Sequence, residues 1–117
     1  MAVGMALAKK IKGLSSRCFV LLSDGECNEG SIWESAMLAA SLKLDNLYTF
    51  IDYNKWQATG RSKEIMALEP LAEKWEAFGW EVDEIDGHEF YSIDKAFKNI
   101  KTQSKKPKII ICHTVKG

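Results

Sequence analysis

The feature that most constrains the fold of this chain is the regular alternation of helical and strand-like segments. Short apolar runs alternate with stretches whose apolar residues recur at helical spacing. Strands are predicted at 18–22, 47–52, 80–85 and 109–112, and helices at 1–11, 31–42, 70–78 and 92–100. This α-β-α-β-α-β-α-β order implies crossover connections. We therefore expect an α/β fold: an open, mostly parallel sheet with helices on both faces.

Local patterns refine two of these elements. The strand at 80–85 alternates apolar and acidic residues, which is typical of a strand at or near a sheet edge. Ser31 is followed three residues later by Glu34, a spacing that predicts a capping box at the start of the second helix. Residues 53–68 are predicted to be a loop.

Composition bounds the class of protein. The 117 residues suffice for one domain, 1–117, and the net formal charge is zero, which argues against a nucleic-acid or anionic-membrane partner. No apolar run approaches the roughly 20 residues of a membrane span. Cys18, Cys27 and Cys112 form no CxxC pair, which predicts reduced thiols in a cytoplasmic protein. The two histidines lie too far apart for a zinc motif.

Polar residues follow the first two predicted strands. Asp24 comes directly after the first strand, and Asn54 follows the second, thirty residues later. In an open parallel sheet ligands bind at the carboxyl ends of the strands, so we expect both side chains there, with Asp24 facing solvent. Carboxylate and amide oxygens suit a Mg²⁺ that also binds phosphate, and Gly25 would let a phosphate approach the backbone. The alternative remains that Asp-Gly and Asn only form turns.

Longer motifs carry a family resemblance. The stretch SDGECNEGSIWESAMLAASLKLDNL followed by IDYNKWQATG resembles the thiamine diphosphate motif of transketolases. The segments VGMALAKK, LEPLAEKWEAFGWEV, IDGHE and KPKIIICHTVKG match that family in order and spacing, so the resemblance covers essentially the whole chain. The motif alone is shared with 2-oxo acid dehydrogenases and deoxyxylulose-phosphate synthase. The later segments favour transketolase, especially the separate amino-terminal half of split bacterial enzymes.

The resemblance implies roles for individual residues. Asp24, the side-chain oxygen of Asn54 and the main-chain carbonyl of Trp56 would bind Mg²⁺, and the Gly25 N–H would bind the diphosphate of thiamine diphosphate. Glu29 would join the hydrogen-bonded network between the two cofactor sites of a dimer.

The resemblance also places Ser23 among the cofactor-binding residues, at the position where the family has the first glycine of its motif. Serine would be strained there by about 1 kcal/mol or more if the position required a left-handed backbone.

The resemblance also implies that the chain is a partial domain, cut at both ends. It begins after the family's early histidine-bearing segments and ends at 114–117, before the stretch that usually follows. The second domain, whose glutamate contacts the aminopyrimidine ring, is missing. The family reaction transfers a two-carbon ketol unit between sugar phosphates in the pentose phosphate pathway. We therefore expect weak cofactor binding and no turnover by the isolated chain.

Association and two alternative functions complete these expectations. The helix at 32–42 is apolar nearly all round, which predicts a dimer or a separate carboxy-terminal subunit covering it. The aromatic residues Trp33, Trp75, Phe78 and Trp80 are interpreted as core or interface packing, and His88 as a turn residue. The alternatives are a fragment of another thiamine diphosphate enzyme, and a non-catalytic remnant used for association.

Overall fold

The computed structural model describes residues 1–100 and 104–117, and its elements follow the predicted alternating order. The helices are α1 Ala2–Ile11, α2 Gly30–Ser41, α3 Ser62–Ile65, α4 Leu71–Ala77 and α5 Phe90–Asn99. The strands are β1 Cys18–Ser23, β2 Leu47–Tyr53, β3 Trp56–Gln57, β4 Gly60–Arg61, β5 Glu81–Asp86 and β6 Lys108–His113. A 3-10 turn, Gly25–Asn28, joins β1 to α2. The prediction that residues 53–68 form a loop was wrong in part, because this segment contains the β3–β4 hairpin and α3.

The main sheet has four strands in the order β1-β2-β6-β5, and all three strand pairs are parallel. Ser23 at the end of β1 lies beside Asp52 of β2, and Asp52 lies beside Cys112 of β6. The predicted α/β fold with a parallel sheet is therefore confirmed. The edge position predicted for the third strand is also confirmed, because β5 lies at the end of the sheet.

Helices cover both faces of this sheet. The larger core cluster joins α1, α2 and α4 to inward residues of the strands, including Ile109 and Ile111. A smaller cluster on the opposite face packs Ala96 and Ile100 against Ile110. Because successive side chains of a strand point to opposite faces, Ile109 and Ile111 pack in the larger cluster and Ile110 packs in the smaller one.

The aromatic residues form a packed cluster beneath α2. The ring of Trp75 lies 5.0 Å from that of Trp33 and 5.0 Å from that of Trp80, and Phe78 lies 5.2 Å from Trp33. The indole of Trp80 donates a hydrogen bond to the carbonyl of Ala36 in α2 at 2.9 Å. The interpretation of these aromatics as packing residues is confirmed.

The predicted capping box at the start of α2 was wrong. The helix begins at Gly30, and its N-cap is Glu29, which makes no side-chain capping hydrogen bond. Ser31 therefore already lies inside the first turn, where its hydroxyl is past the cap position and cannot pair with Glu34 as a capping box requires.

The longest of the described helices is α2, which has 12 residues. None of the described helices is long and apolar enough to cross a membrane.

Candidate functional site

Two turns meet at the carboxyl edge of the sheet. Asp24 follows β1 directly, and Asn54 follows β2 directly. Because β1 and β2 are adjacent and parallel, both turns leave the same edge, as the sequence predicted. This is the edge at which open α/β sheets bind their ligands.

Asp24 is fully buried, so the expectation that it faces solvent was wrong. The unpredicted segment 56–65 accounts for the difference, because its Ser62 hydroxyl donates a hydrogen bond of 2.6 Å to Asp24 Oδ2. Asp24 Oδ1 is buried as well, and no donor among the described residues reaches it. A buried carboxylate oxygen without a donor is costly unless a cation or another ligand group compensates it. The burial of this side chain therefore goes beyond what an Asp-Gly turn requires.

The amide of Asn54 is held in one orientation. Its Oδ1 accepts a 2.9 Å hydrogen bond from the Trp56 N–H, and its Nδ2 donates at 3.2 Å to Asp52 Oδ2. The other carboxylate oxygen of Asp52 accepts the hydroxyl of Thr114, which follows β6. Three adjacent strand ends, those of β1, β2 and β6, thus contribute to this edge.

Asn54 forms a turn, which was the alternative that the sequence analysis left open for this residue. Its bond to Trp56 N–H closes an Asx turn, with Lys55 in the left-handed region at φ 67°. A carbonyl oxygen has two lone pairs, so Oδ1 keeps an acceptor position for a cation. A non-glycine residue in this conformation costs roughly 1–2 kcal/mol, a strain that is concentrated at functional sites.

Ser62 joins the two turns and was not identified from the sequence. Its N–H donates to the Lys55 carbonyl at 3.0 Å while its hydroxyl binds Asp24. Ser62 is only 2 % exposed, so both bonds are shielded from water. A serine in a predicted loop carries no signal of such a role.

A second unpaired group lies beside Gly25, at the start of the 3-10 turn. A Cβ at Gly25 would meet Cγ of Gln57 at 3.5 Å, an ordinary contact, so packing within the chain does not require glycine here. Gln57 Nε2 is buried and has no acceptor among the described residues. The site thus combines an unpaired acceptor on Asp24 with an unpaired donor on Gln57, a pair that is complementary to a cation bound to an anion. Gln57 was also missed, because the two-residue strand β3 has no detectable periodicity.

The remaining predicted site residues occupy the rim. Ser23 is the last residue of β1 and pairs with Asp52, and it is not among the described residues with positive φ. It therefore carries no left-handed strain. Both its N–H and its hydroxyl donate to the Glu26 carboxylate, at 2.7 and 3.1 Å. Glu29 is exposed at the N-cap position of α2, and its side chain makes no capping hydrogen bond to that helix.

Charged groups surround a cleft of about 510 Å³ next to Asn54 and Ser62. Four cationic side chains line it: Lys55, Arg61, Lys63 and Lys116. Positive charges around a cleft raise the local concentration of anions. Glu69 also lines the cleft, and the Leu71 N–H and the Tyr53 hydroxyl, which donate to its carboxylate at 3.0 and 2.7 Å, lower its pKa.

The environment of the nearby Cys27 disfavours its thiolate form. Burial, together with the carboxylates of Asp24 and Glu26, raises the pKa of its thiol to about 12. The thiolate is the reactive form of cysteine, so this side chain is inert at neutral pH. His88 lies in the turn after β5, as predicted, and its Nε2 accepts the Val115 N–H at 2.8 Å.

The donor set narrows the kind of ion that this edge suits. Within residues 1–100 and 104–117, no three His, Cys, Asp or Glu side chains come together as a metal cage. An ion held by the Asp24 carboxylate would draw its other protein ligands from neutral oxygens such as that of Asn54, with the rest of its shell from water or phosphate. That combination is typical of Mg²⁺ and not of Zn²⁺.

Comparison with known proteins identifies the domain family to which the chain is similar. Residues 3–117 match the family model described as "Transketolase, thiamine diphosphate binding domain". The chain is 47% identical over 116 residues to a 6-deoxy-6-sulfo-D-fructose transketolase subunit from Clostridium sp. (strain MSTE9), covering 99% of this chain and 42% of that protein. It is 45% identical over 115 residues to one subunit of the apulose-4-phosphate transketolase of Phocaeicola vulgatus, covering 98% and 41%.

A solved structure shows the same fold. The crystal structure of transketolase from Campylobacter jejuni superposes with a TM-score of 0.90 at 33% identity, over 97% of this chain and 19% of that one. The chain thus spans about two fifths of the length of the two curated subunits and about one fifth of the full-length enzyme.

Proposed function

The chain belongs to the thiamine diphosphate-binding domain family of transketolases, and from that premise we propose that it supplies the Mg²⁺–diphosphate anchor of a transketolase-type enzyme. Asp24, Asn54 Oδ1 and the main-chain carbonyl of Trp56 would hold the metal. The Gly25 N–H would bind a diphosphate oxygen.

The observation that carries this proposal is the buried Asp24 carboxylate with its unpaired Oδ1. A bound Mg²⁺ would compensate that oxygen, and a diphosphate on the metal would offer acceptors to Gln57 Nε2 and to the cations of the cleft. Both unpaired groups would then gain partners together. A simple turn at Asp24 would leave them unexplained.

When bound, thiamine diphosphate would supply the carbon–carbon chemistry of ketol transfer between sugar phosphates. The residues of this chain bind and orient it. The Asp52–Thr114 pair fixes the Asn54 amide, and Ser62 fixes the Asp24 carboxylate. Preorganised ligands of this kind lose little freedom on binding. Glu29, exposed at the start of α2, would lie towards a neighbouring subunit.

The chain would act with other parts of an enzyme. The two relatives compared above are named as subunits, and each is more than twice as long as the matched region. We therefore assign the aminopyrimidine contact and the sugar-phosphate pocket to a separate carboxy-terminal subunit or to further chain. The isolated 117 residues are expected to bind cofactor weakly and to show no turnover.

Calorimetric titration with thiamine diphosphate tests the proposal. We expect binding heat when Mg²⁺ is present and none after chelation with EDTA, because the diphosphate binds through the metal. Thiamine without its diphosphate is the matched control, and it should give no heat in either buffer. Equal binding of thiamine and thiamine diphosphate would contradict the anchor, and binding of neither would favour the non-catalytic remnant.

Association through α2 is a second expectation. Met37 and Leu38 of α2 and its C-cap Leu42 remain 51%, 52% and 36% exposed, so an apolar patch on this helix is only partly covered by the described chain. Burial of such a patch is favourable by about 25 cal/mol per Å². We expect dimers in sedimentation velocity at micromolar concentration, and monomers for the double variant Met37→Glu with Leu38→Lys. A parent that sediments as a monomer would contradict self-association through α2 and would leave the longer protein or another subunit as the expected cover.

A further inference from the structure

The turn that follows the edge strand β5 lies against the segment that follows β6. Gly87 comes directly after β5, and its N–H donates to the His113 carbonyl at 2.8 Å. Nε2 of the next residue, His88, accepts the Val115 N–H at 2.8 Å. These two bonds flank Thr114, so they hold the turn against this residue.

The close approach of the two segments requires a glycine in the turn. A Cβ at Gly87 would lie only 2.5 Å from Cγ2 of Thr114 and 3.1 Å from Cβ of Cys112. Gly87 is not among the described residues with positive φ, so its backbone conformation is open to other residues. Lack of space, and not backbone conformation, therefore explains this glycine.

Thr114 could avoid such a Cβ only by moving or turning its side chain. Its methyl and hydroxyl groups share one Cβ, so a rotation that moves the methyl also swings the hydroxyl away. That hydroxyl donates to Oδ1 of Asp52. Oδ2 of the same carboxylate accepts the Asn54 amide N–H at 3.2 Å. A displacement of Thr114 therefore reaches Asn54 through a single carboxylate.

The orientation of the Asn54 amide decides which of its atoms can meet a cation. Oδ1 can bind a metal, whereas the NH₂ group is a donor and cannot. We propose that Gly87 is a positioning residue: by leaving room for Thr114, it keeps Oδ1 of Asn54 available to the metal. The role reaches across the sheet, because β6 lies between β5 and β2. This inference rests on the proposed cofactor site.

Two measurements test the inference. Calorimetry with Mg²⁺ and thiamine diphosphate gives the affinity, and the side-chain amide signals of Asn54 in a nitrogen–proton correlation spectrum report its environment without ligand. We expect Gly87→Ala to weaken binding about tenfold and to shift these signals, the effect of losing one hydrogen bond to a carboxylate. Thr114→Val keeps the shape of the side chain and removes the hydroxyl, so it should produce both effects without crowding.

A second substitution should rescue Gly87→Ala. Thr114→Ser removes Cγ2, the atom closest to the added Cβ, and keeps the hydroxyl. In the Thr114→Ser background, Gly87→Ala should therefore cost less than about threefold and leave the Asn54 signals in place. Gly4→Ala is the matched control, because a Cβ at Gly4 in α1 would meet nothing within 4 Å. It should change neither measurement.

The outcomes separate the inference from the proposed function. Equal losses from Gly87→Ala with and without Thr114→Ser would show that the turn has only a structural role. Unshifted Asn54 signals in Thr114→Val would overturn the inference while the cofactor site stands, even if Gly87→Ala does not fold. If the parent does not bind thiamine diphosphate, the proposed function fails, and the ligand-free signals still decide whether Gly87 positions the amide.

Discussion

Replacing Asp24 with asparagine is expected to abolish Mg²⁺-dependent binding of thiamine diphosphate while the protein without ligand becomes more stable. The variant keeps the shape of the side chain and an oxygen that can accept the Ser62 hydroxyl. It removes the charge that the metal requires, so we expect at least a roughly 100-fold loss of affinity, beyond the range of calorimetry. It also replaces a buried, charged oxygen that has no donor among the described residues with a neutral amide group, and should raise the free energy of unfolding by about 1 kcal/mol.

Two measurements on the Asp24→Asn variant distinguish a metal-binding role of Asp24 from a purely structural role in the turn. Urea denaturation gives the stability without ligand, and titration with thiamine diphosphate and Mg²⁺ gives the affinity. Asp45→Asn is the control, because Asp45 is a surface carboxylate, paired with Lys10 at 3.3 Å, and its loss should change neither quantity appreciably. An Asp24→Asn variant that binds as the parent does would show that the carboxylate is structural.

The position of Asp24 could be predicted from the sequence, but its burial could not. Its place at the end of β1, next to the end of β2, followed from the order of elements. Its burial did not follow, because it depends on Ser62, 38 residues later in the chain. A contact of that kind leaves no local pattern. The prediction of a solvent-facing carboxylate failed for this reason.

The larger elements were predictable because each has enough residues to show a period or a continuous apolar run. The six-residue run Lys108–His113 and the helix Phe90–Asn99 are examples. The segment from Trp56 to Ile65 is different, since its strands have two residues each and its helix has four. Such short elements exist through tertiary contacts and not through their own propensity. Ser62 and Gln57 lie in this segment, so the missed elements and the missed site residues have one cause.

Helix capping shows the same limit on a smaller scale. Ser31 and Glu34 have the spacing of a capping box, yet the structure does not use them. A side-chain cap was not predicted for α5, yet Glu89 caps that helix by accepting the N–H groups of Tyr91 and Ser92 at 2.9 and 2.6 Å. Spacing predicts that a helix begins nearby, but the first helical residue depends on how the preceding turn packs.

The aromatic cluster links the core of the domain to the site. Trp75 is 2% exposed and packs at 5.0 Å against Trp33. The Trp33 indole in turn donates a 2.8 Å hydrogen bond to the Cys27 carbonyl, in the 3-10 turn that follows Asp24. The position of that turn therefore depends on Trp33, and Trp33 is held by Trp75.

We expect Trp75→Ala to lower the free energy of unfolding by about 3–5 kcal/mol, because it removes a fully buried indole and leaves a cavity beside two other indole rings. A small domain has only about 5–15 kcal/mol in total, so this loss is a large fraction of its stability. Urea denaturation followed by far-ultraviolet circular dichroism measures this loss without relying on the fluorescence of the replaced residue.

Trp75→Phe is the matched control. The Trp75 indole N–H has no hydrogen-bond partner among the described residues, so phenylalanine loses no bond and keeps much of the ring contact with Trp33 and Trp80. We expect a cost below about 1.5 kcal/mol and unimpaired cofactor binding. If both substitutions cost the same, the cluster is not close-packed around Trp75. If Trp75→Ala stays folded and binds cofactor as the parent does, the turn that carries Asp24 is held by the sheet and the Ser62 bond alone.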